Sequence, residues 1–176
     1  MEDKKSIWNS AGSAGLILGG ISVAYILLNW VLSLIAAGGA AGILASVGSI
    51  LLWAVKFGAC IWFMKFCMTR YSDSNPEAGH SEVFKFGMLV ALLSAIIYSG
   101  AYSAYLIYLA PEQLENALDM LRDNPMLDAN SLEMVEQMIP KMPTISFFVN
   151  IVYCWLFGTV LAAIFSRSIP SSNPFE

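Results

Sequence analysis

The sequence predicts an all-α polytopic membrane protein: four transmembrane helices, with an amphipathic helical segment between the third and the fourth. Three observations predict it. Charged residues make up only 12% of the 176-residue chain, against about 25% in a soluble domain. Hydrophobic residues make up 57%. The charges also cluster, leaving runs with none between Lys5 and Lys56, between Lys85 and Glu112, and between Lys141 and Arg167. A hydrocarbon core of ~30 Å takes about 20 apolar residues to cross as helix. The first run therefore holds one span and most of a second, and the others hold one each. This places spans at 10–34, 42–66, 84–109 and 145–166 in a single membrane domain covering 1–176. The runs lack the alternation of barrel strands, and a lipid-exposed backbone must pair its own N–H and C=O groups, so helix is the assignment. Disorder, a disulfide mini-protein and an ordinary water-soluble enzyme are excluded. A net charge of −4 also argues against a nucleic-acid surface.

Orientation follows from Lys and Arg, because acidic residues contribute little to it. With the N-terminus in the cytoplasm, Lys4, Lys5, Lys65, Arg70, Lys85 and Arg167 lie inside and only Arg122 and Lys141 outside. Both termini are thus expected in the cytoplasm. Trp8, Trp30, Trp62 and Tyr108 fall near the span boundaries, where amphipathic rings prefer to sit. The apolar stretch from Ala11 to Leu34 exceeds the roughly 7–15 residues of a signal-peptide core, so it is expected to remain as a span. Residue 2 is Glu, so no myristoylation signal opens the chain.

The connections differ in kind. Between the first two spans, Gly38-Gly39 permits a sharp reversal, which predicts a tight antiparallel hairpin. The second connection, Cys67 to Glu82, contains Asn75-Pro76 as a turn, and Ser81 with Glu82 reads as the start of the third span. Asp73, Glu77 and His80 lack the helical spacing of a metal site across the proline, so a solvated turn is the reading and no metal or cofactor is expected. The third connection is the sizeable extramembrane piece, a cap at 111–143. Pro111 opens a helix with Leu114, Leu118 and Leu121 on one face; Asn124-Pro125 breaks it; a second helix starts near Asn130 or Ser131 and ends before Pro140. Seven acids against Arg122 and Lys141 make this cap anionic. Its apolar stripes are expected to cover the bundle mouth or a protein partner. Met120, Met126, Met134, Met138 and Met142 lack regular spacing and a nearby His, which favours packing over Cu(I) ligation.

Within the spans, small residues recur every fourth position: Ala11, Gly15 and Gly19 in the first, Gly38, Gly42 and Ser46 in the second, Gly87, Ala91, Ala95, Ser99 and Ser103 in the third, and Cys154, Gly158 and Ala162 in the fourth. Small residues let backbones approach closely where lipid supplies no hydrophobic drive. Two uses stay open: internal packing of the four helices, or a homodimer face on the first. Asn29 and Asn150 sit at matching depth in the outer half, near Tyr25, Ser99, Tyr102, Ser103 and Tyr153. That layer reads as hydrogen-bonded glue or as a small polar ligand cavity.

Lys56 is the charged residue well inside a span, and no Asp or Glu lies in any span to neutralise it. A lysine at mid-bilayer costs about 2.5–3.5 kcal/mol. Its stem snorkels to the boundary, it is deprotonated, or an outside anion such as a lipid phosphate pairs with it. Cys60, Cys67 and Cys154 form no C-x-x-C and read as small apolar fillers. With no H-E-x-x-H, phosphate loop, nucleophile elbow or intramembrane carboxylate pair, the chain is not expected to be an enzyme.

Gly15-Leu-Ile-Leu-Gly19, Arg70-Tyr71, Ser81-Glu82-Val-Phe-Lys-Phe-Gly87 and the Tyr-rich third span ending at Pro111 resemble a family of small bacterial cytoplasmic-membrane proteins classed as a domain of unknown function. The resemblance implies four spans over nearly the whole chain, a bacterial inner-membrane location and an association of members with polyprenyl-phosphate sugar transferases. It supplies no catalytic residues. The function expected is that of an accessory or assembly subunit of a membrane complex, touching lipid and contacting partners through residues 111–143 or the first helix. The alternative is a small carrier or lipid-handling protein that binds an anionic headgroup near Lys56.

Overall fold

A computed structural model describes residues 3–35, 40–123 and 128–169, which are helical almost throughout and contain no strand. Six α-helices follow one another: α1 Asp3–Ile35, α2 Ala40–Ser74, α3 His80–Ala104, α4 Glu112–Arg122, α5 Ala129–Met138 and α6 Met142–Ser168. Four stretches are long and apolar enough to cross a membrane: Ile7–Leu34, Ser46–Ser74, His80–Leu109 and Asn130–Ser168. The Gly38-Gly39 reversal and the Asn124-Pro125 break lie outside the described residues.

Close approach at small residues sets the arrangement. A Cβ added at Gly15 would stand 2.7 Å from the Leu93 Cβ, and one at Gly19 would stand 2.8 Å from that of Ile97, so α1 runs parallel to α3. A Cβ at Gly87 would meet the Ala162 Cβ at 2.8 Å, and one at Gly158 would run into Ala91. Ser103 Oγ donates to the Pro143 carbonyl at 2.8 Å farther along, so α3 and α6 are antiparallel. In this way α3 becomes the central helix, and its Val83, Phe86, Val90, Ala91 and Ala95 are buried. Antiparallel α2 lies against α1, with Cys60 Sγ 3.9 Å from Ser22 Oγ. Its Met64 and Met68 reach in to the core, where the Met68 sulfur fills the space beside Gly87.

Several boundaries correct the sequence reading. The second helix continues eight residues past 66 to Ser74, because Cys67, Met68 and Tyr71 go on packing against α3. Its connection to α3 shrinks to residues 75–79, with Ala78 N–H bonded to the Asn75 carbonyl at 2.9 Å. The third helix begins at His80 after an extended Gly79; Ser81 does not cap it, while Glu82 does lie in its first turn. The His80 Nδ1–H donates to the Ser166 carbonyl at 2.6 Å and ties the start of α3 to the end of α6. At the other end of α3 the chain widens into a π-helical turn, Tyr105–Leu109, closed by Ala110 N–H on the Tyr105 carbonyl at 3.0 Å. Pro111 explains the stop, since it disfavours helical backbone at the residue before it, and Ala110 has φ −142°.

In the cap, Pro111 opens α4 and the Asp128 carboxylate caps α5 by accepting from Ser131 N–H at 3.1 Å. Arg122 joins the two helices, 2.7 Å from Glu136 and 3.4 Å from Asp119. Gln113 Nε2 donates to the Tyr105 hydroxyl at 2.7 Å, anchoring α4 to the π turn.

Candidate functional site

The candidate site lies in the membrane-spanning region, where α2 stands away from α3 and α6. Lys56, Cys60 and Met64 fall at i, i+4 and i+8, so one stripe of α2 faces inward. Contact between Ser22 and Cys60 fixes the register of the antiparallel pair. One turn farther up α1 therefore faces one turn earlier on α2, and Tyr25 comes opposite Lys56. From α3, Ser94 and Tyr98 face the same space; from α6, Tyr153, Cys154 and Phe157 do. The result is a partly open cleft of about 120 Å³. Phe57 and Phe157, with ring centroids 5.4 Å apart, narrow its α2–α6 side.

The Lys56 ammonium lies 4.7 Å from the centroid of the Tyr98 ring and 5.3 Å from that of Tyr25. Among the described residues it has no carboxylate partner. Each ring face is worth about 2 kcal/mol to a desolvated cation. Two of them offset an insertion cost of about 2.5–3.5 kcal/mol. Lys56 lies nine residues before exposed Lys65, or ~14 Å along the helix, close to half the hydrocarbon thickness. The ammonium rests against the two ring faces at this position along α2.

The other candidate residues separate. Tyr102 and Asn150 line a second hollow of about 340 Å³ with Tyr98, Ser146 and Val149, so the Tyr98 ring borders both spaces. Asn29 lines neither, and its buried Oδ1 has no hydrogen-bond partner among the described residues. Fully buried Ser99 Oγ and the Trp155 Nε1–H are likewise unpartnered. Of the packing residues, Gly15 and Gly19 are occupied by α3, Gly87 and Gly158 by the α3–α6 contact, and Ala91 and Ala95 face the cleft. The Gly-x-x-x-Gly surface that left a homodimer open is thus covered within the chain. The sequence reading missed Tyr98. Its signal was present: Tyr98, Tyr102 and Tyr105 recur at i, i+4 and i+7, with neighbouring rings 6.1 Å apart.

Outside the spans, among the described residues, no three His, Cys, Asp or Glu side chains come together as a metal site. Asp128 has its carboxyl held below the ordinary 3.8 by the Ser131 hydrogen bonds, and Glu136 beside Arg122 raises the guanidinium further.

One family matches the chain, and its description is "Protein of unknown function"; residues 13–167 are covered. Searches of curated proteins and of solved structures find no match.

Proposed function

The chain belongs to that family, protein of unknown function (DUF4199), and we propose that it is a non-catalytic membrane protein whose Lys56 cleft takes the phosphate headgroup of a lipid. The observation that carries this reading is an intramembrane cation balanced by two aromatic faces in place of a carboxylate. Ring faces stabilise the charge without cancelling it, so a net positive charge remains for an incoming anion. Ser22, Ser94, Tyr98 and Tyr153 supply hydroxyls around it. A cleft of about 120 Å³ admits a phosphate group and not a lipid tail. The tail stays outside in hydrocarbon, along exposed Val152, Leu156 and Val160 of α6. Polyprenyl phosphates belong to this ligand class, in keeping with the sugar-transferase association that the family resemblance implies. The family resemblance implies a bacterial cytoplasmic-membrane location, and the Lys and Arg distribution supports both termini inside, which reporter fusions at the two ends test.

Native mass spectrometry of the detergent-solubilised protein with a prenyl phosphate is the direct experiment. Lys56→Leu should reduce retained prenyl phosphate at least ~10-fold, the equivalent of one lost charged hydrogen bond. Equal retention by the variant overturns the reading, and product formation by the purified protein overturns its non-catalytic part.

One observation favours a second reading, an accessory or assembly subunit. Met120 is 76% exposed and Met134 60% exposed, on a cap whose Leu114, Leu118, Leu121 and Leu132 are half-buried. Flexible thioethers on an acidic surface suit a protein partner with a basic, apolar face. Affinity purification in mild detergent tests it; recovery of a monodisperse protein with no partner counts against it.

A further inference from the structure

At the end of the bundle that carries the start of α1 and the end of α6, α1 and α2 leave a groove of about 420 Å³ between them. It is separate from the Lys56 cleft and makes different chemistry available. Its mouth is polar: Arg70, Ser10 and Ser74 line it. The Arg70 and Ser74 side chains have no hydrogen-bond or ion-pair partner among the described residues, and the Ser10 carbonyl accepts from Ser13 Oγ at 3.0 Å. Its wall is apolar: Ile17, Phe63 and Phe66 continue from the mouth toward the centre of the spans. The stacked Tyr71 and Phe86 rings, 4.2 Å apart, border it with a rigid surface. Arg70 lies five residues beyond Lys65, ~8 Å farther from the bilayer centre, at headgroup depth. Ile17 lies seven residues, ~10 Å, deeper along α1 than Ser10.

We infer that this groove binds the headgroup of an anionic glycerophospholipid, with its phosphate on Arg70 and one acyl chain along Ile17, Phe63 and Phe66. A guanidinium pairs with phosphate through several donors in a fixed fork, and the two serine hydroxyls add donors beside it. Asp73 is exposed one turn away and makes no ion pair with Arg70 among the described residues, so the guanidinium is available to an outside anion. A free phosphate uses only the mouth of the groove. A zwitterionic lipid uses mouth and wall but brings a cation that Arg70 repels. An anionic glycerophospholipid satisfies both parts.

The test is native mass spectrometry of the full chain titrated separately with phosphatidylglycerol, phosphatidylcholine and inorganic phosphate. Phosphatidylglycerol is expected to bind about 10-fold more tightly than phosphatidylcholine, and inorganic phosphate not to displace it. Arg70→Gln should bring phosphatidylglycerol down to the phosphatidylcholine level, while Lys85→Gln, which removes the same charge outside the groove, leaves the preference intact. Equal binding of the two lipids, an unchanged preference in Arg70→Gln, or displacement by inorganic phosphate overturns the inference. Should Arg70→Gln fail to fold, Ile17→Trp fills the wall instead. Phosphatidylglycerol binding must then fall at least ~5-fold, and undiminished binding overturns the assignment equally.

Discussion

The α3–α6 contact and the α2 side of the bundle solve the same packing problem in opposite ways. Between α3 and α6 the backbones approach until a single added methyl group collides, as at Gly87 and Gly158. On the α2 side, contact is made at arm's length by Lys56, Met64 and Met68. The burial follows: 44% of the apolar 18-residue window of the α3 span is buried within the bundle and only 6% of that of the α2 span. At Gly87 and Gly158 close approach leaves no room for a ligand, and the α3–α6 hollow opens only beyond them, at Tyr102 and Asn150; long side chains leave gaps between their stems. Both the cleft and the groove border α2 for that reason. The difference shows that small-residue spacing marks where a membrane bundle is solid, and long polar side chains mark where it is open.

The comparison breaks first at Gly158. Gly158→Leu drives a side chain into the Ala91 backbone and Cβ, and overpacking of this kind costs about 1–3 kcal/mol. Reversible unfolding in mixed micelles should show a loss at the top of that range, and a near-neutral result would mean that α3 and α6 are not in contact. Gly58→Ala sharpens the contrast from the other side. Nothing lies within 4 Å of an added Cβ there, and alanine favours helix by about 1 kcal/mol, so the same assay should find a variant as stable or more stable. Tyr98→Leu removes one ring from Lys56 while Tyr98→Phe keeps it; the first should lower stability by about 1–2 kcal/mol and the second by less than 1. The smallest effect concerns the cap. The Asp128 pKa is lowered in the folded state, so its contribution is present above its unfolded value and is lost as pH falls through the folded one. Amide exchange at the start of α5 should therefore accelerate below about pH 4 while exchange in α3 does not.

The four spans were legible because charge-free runs of that length have no other stable solvent. The small-residue line of α3 was legible as a packing surface, but not the choice of partner, since such lines occur on every span. The end of α2 was not legible: Arg70 and Asp73 look like a loop until Met68 and Tyr71 are seen packed on α3. The π turn has no local signature beyond Pro111. Lys56 stood out by its charge alone, yet its partners are ring faces, one of them 42 residues away in the sequence at Tyr98, and periodicity within one helix cannot reveal a pairing across three.

The two rings around Lys56 also bear on how the chain is made. Tyr25 precedes the lysine and enters the bilayer with it, whereas Tyr98 belongs to a helix synthesised later. A nascent chain halted before Ser94 holds its second segment in lipid with half of the compensation for that ammonium. Stable residence of the second segment thus waits on arrival of the third, and glycosylation-tagged truncations should show the second segment passing through to the outer side in part of the chains until Tyr98 has emerged.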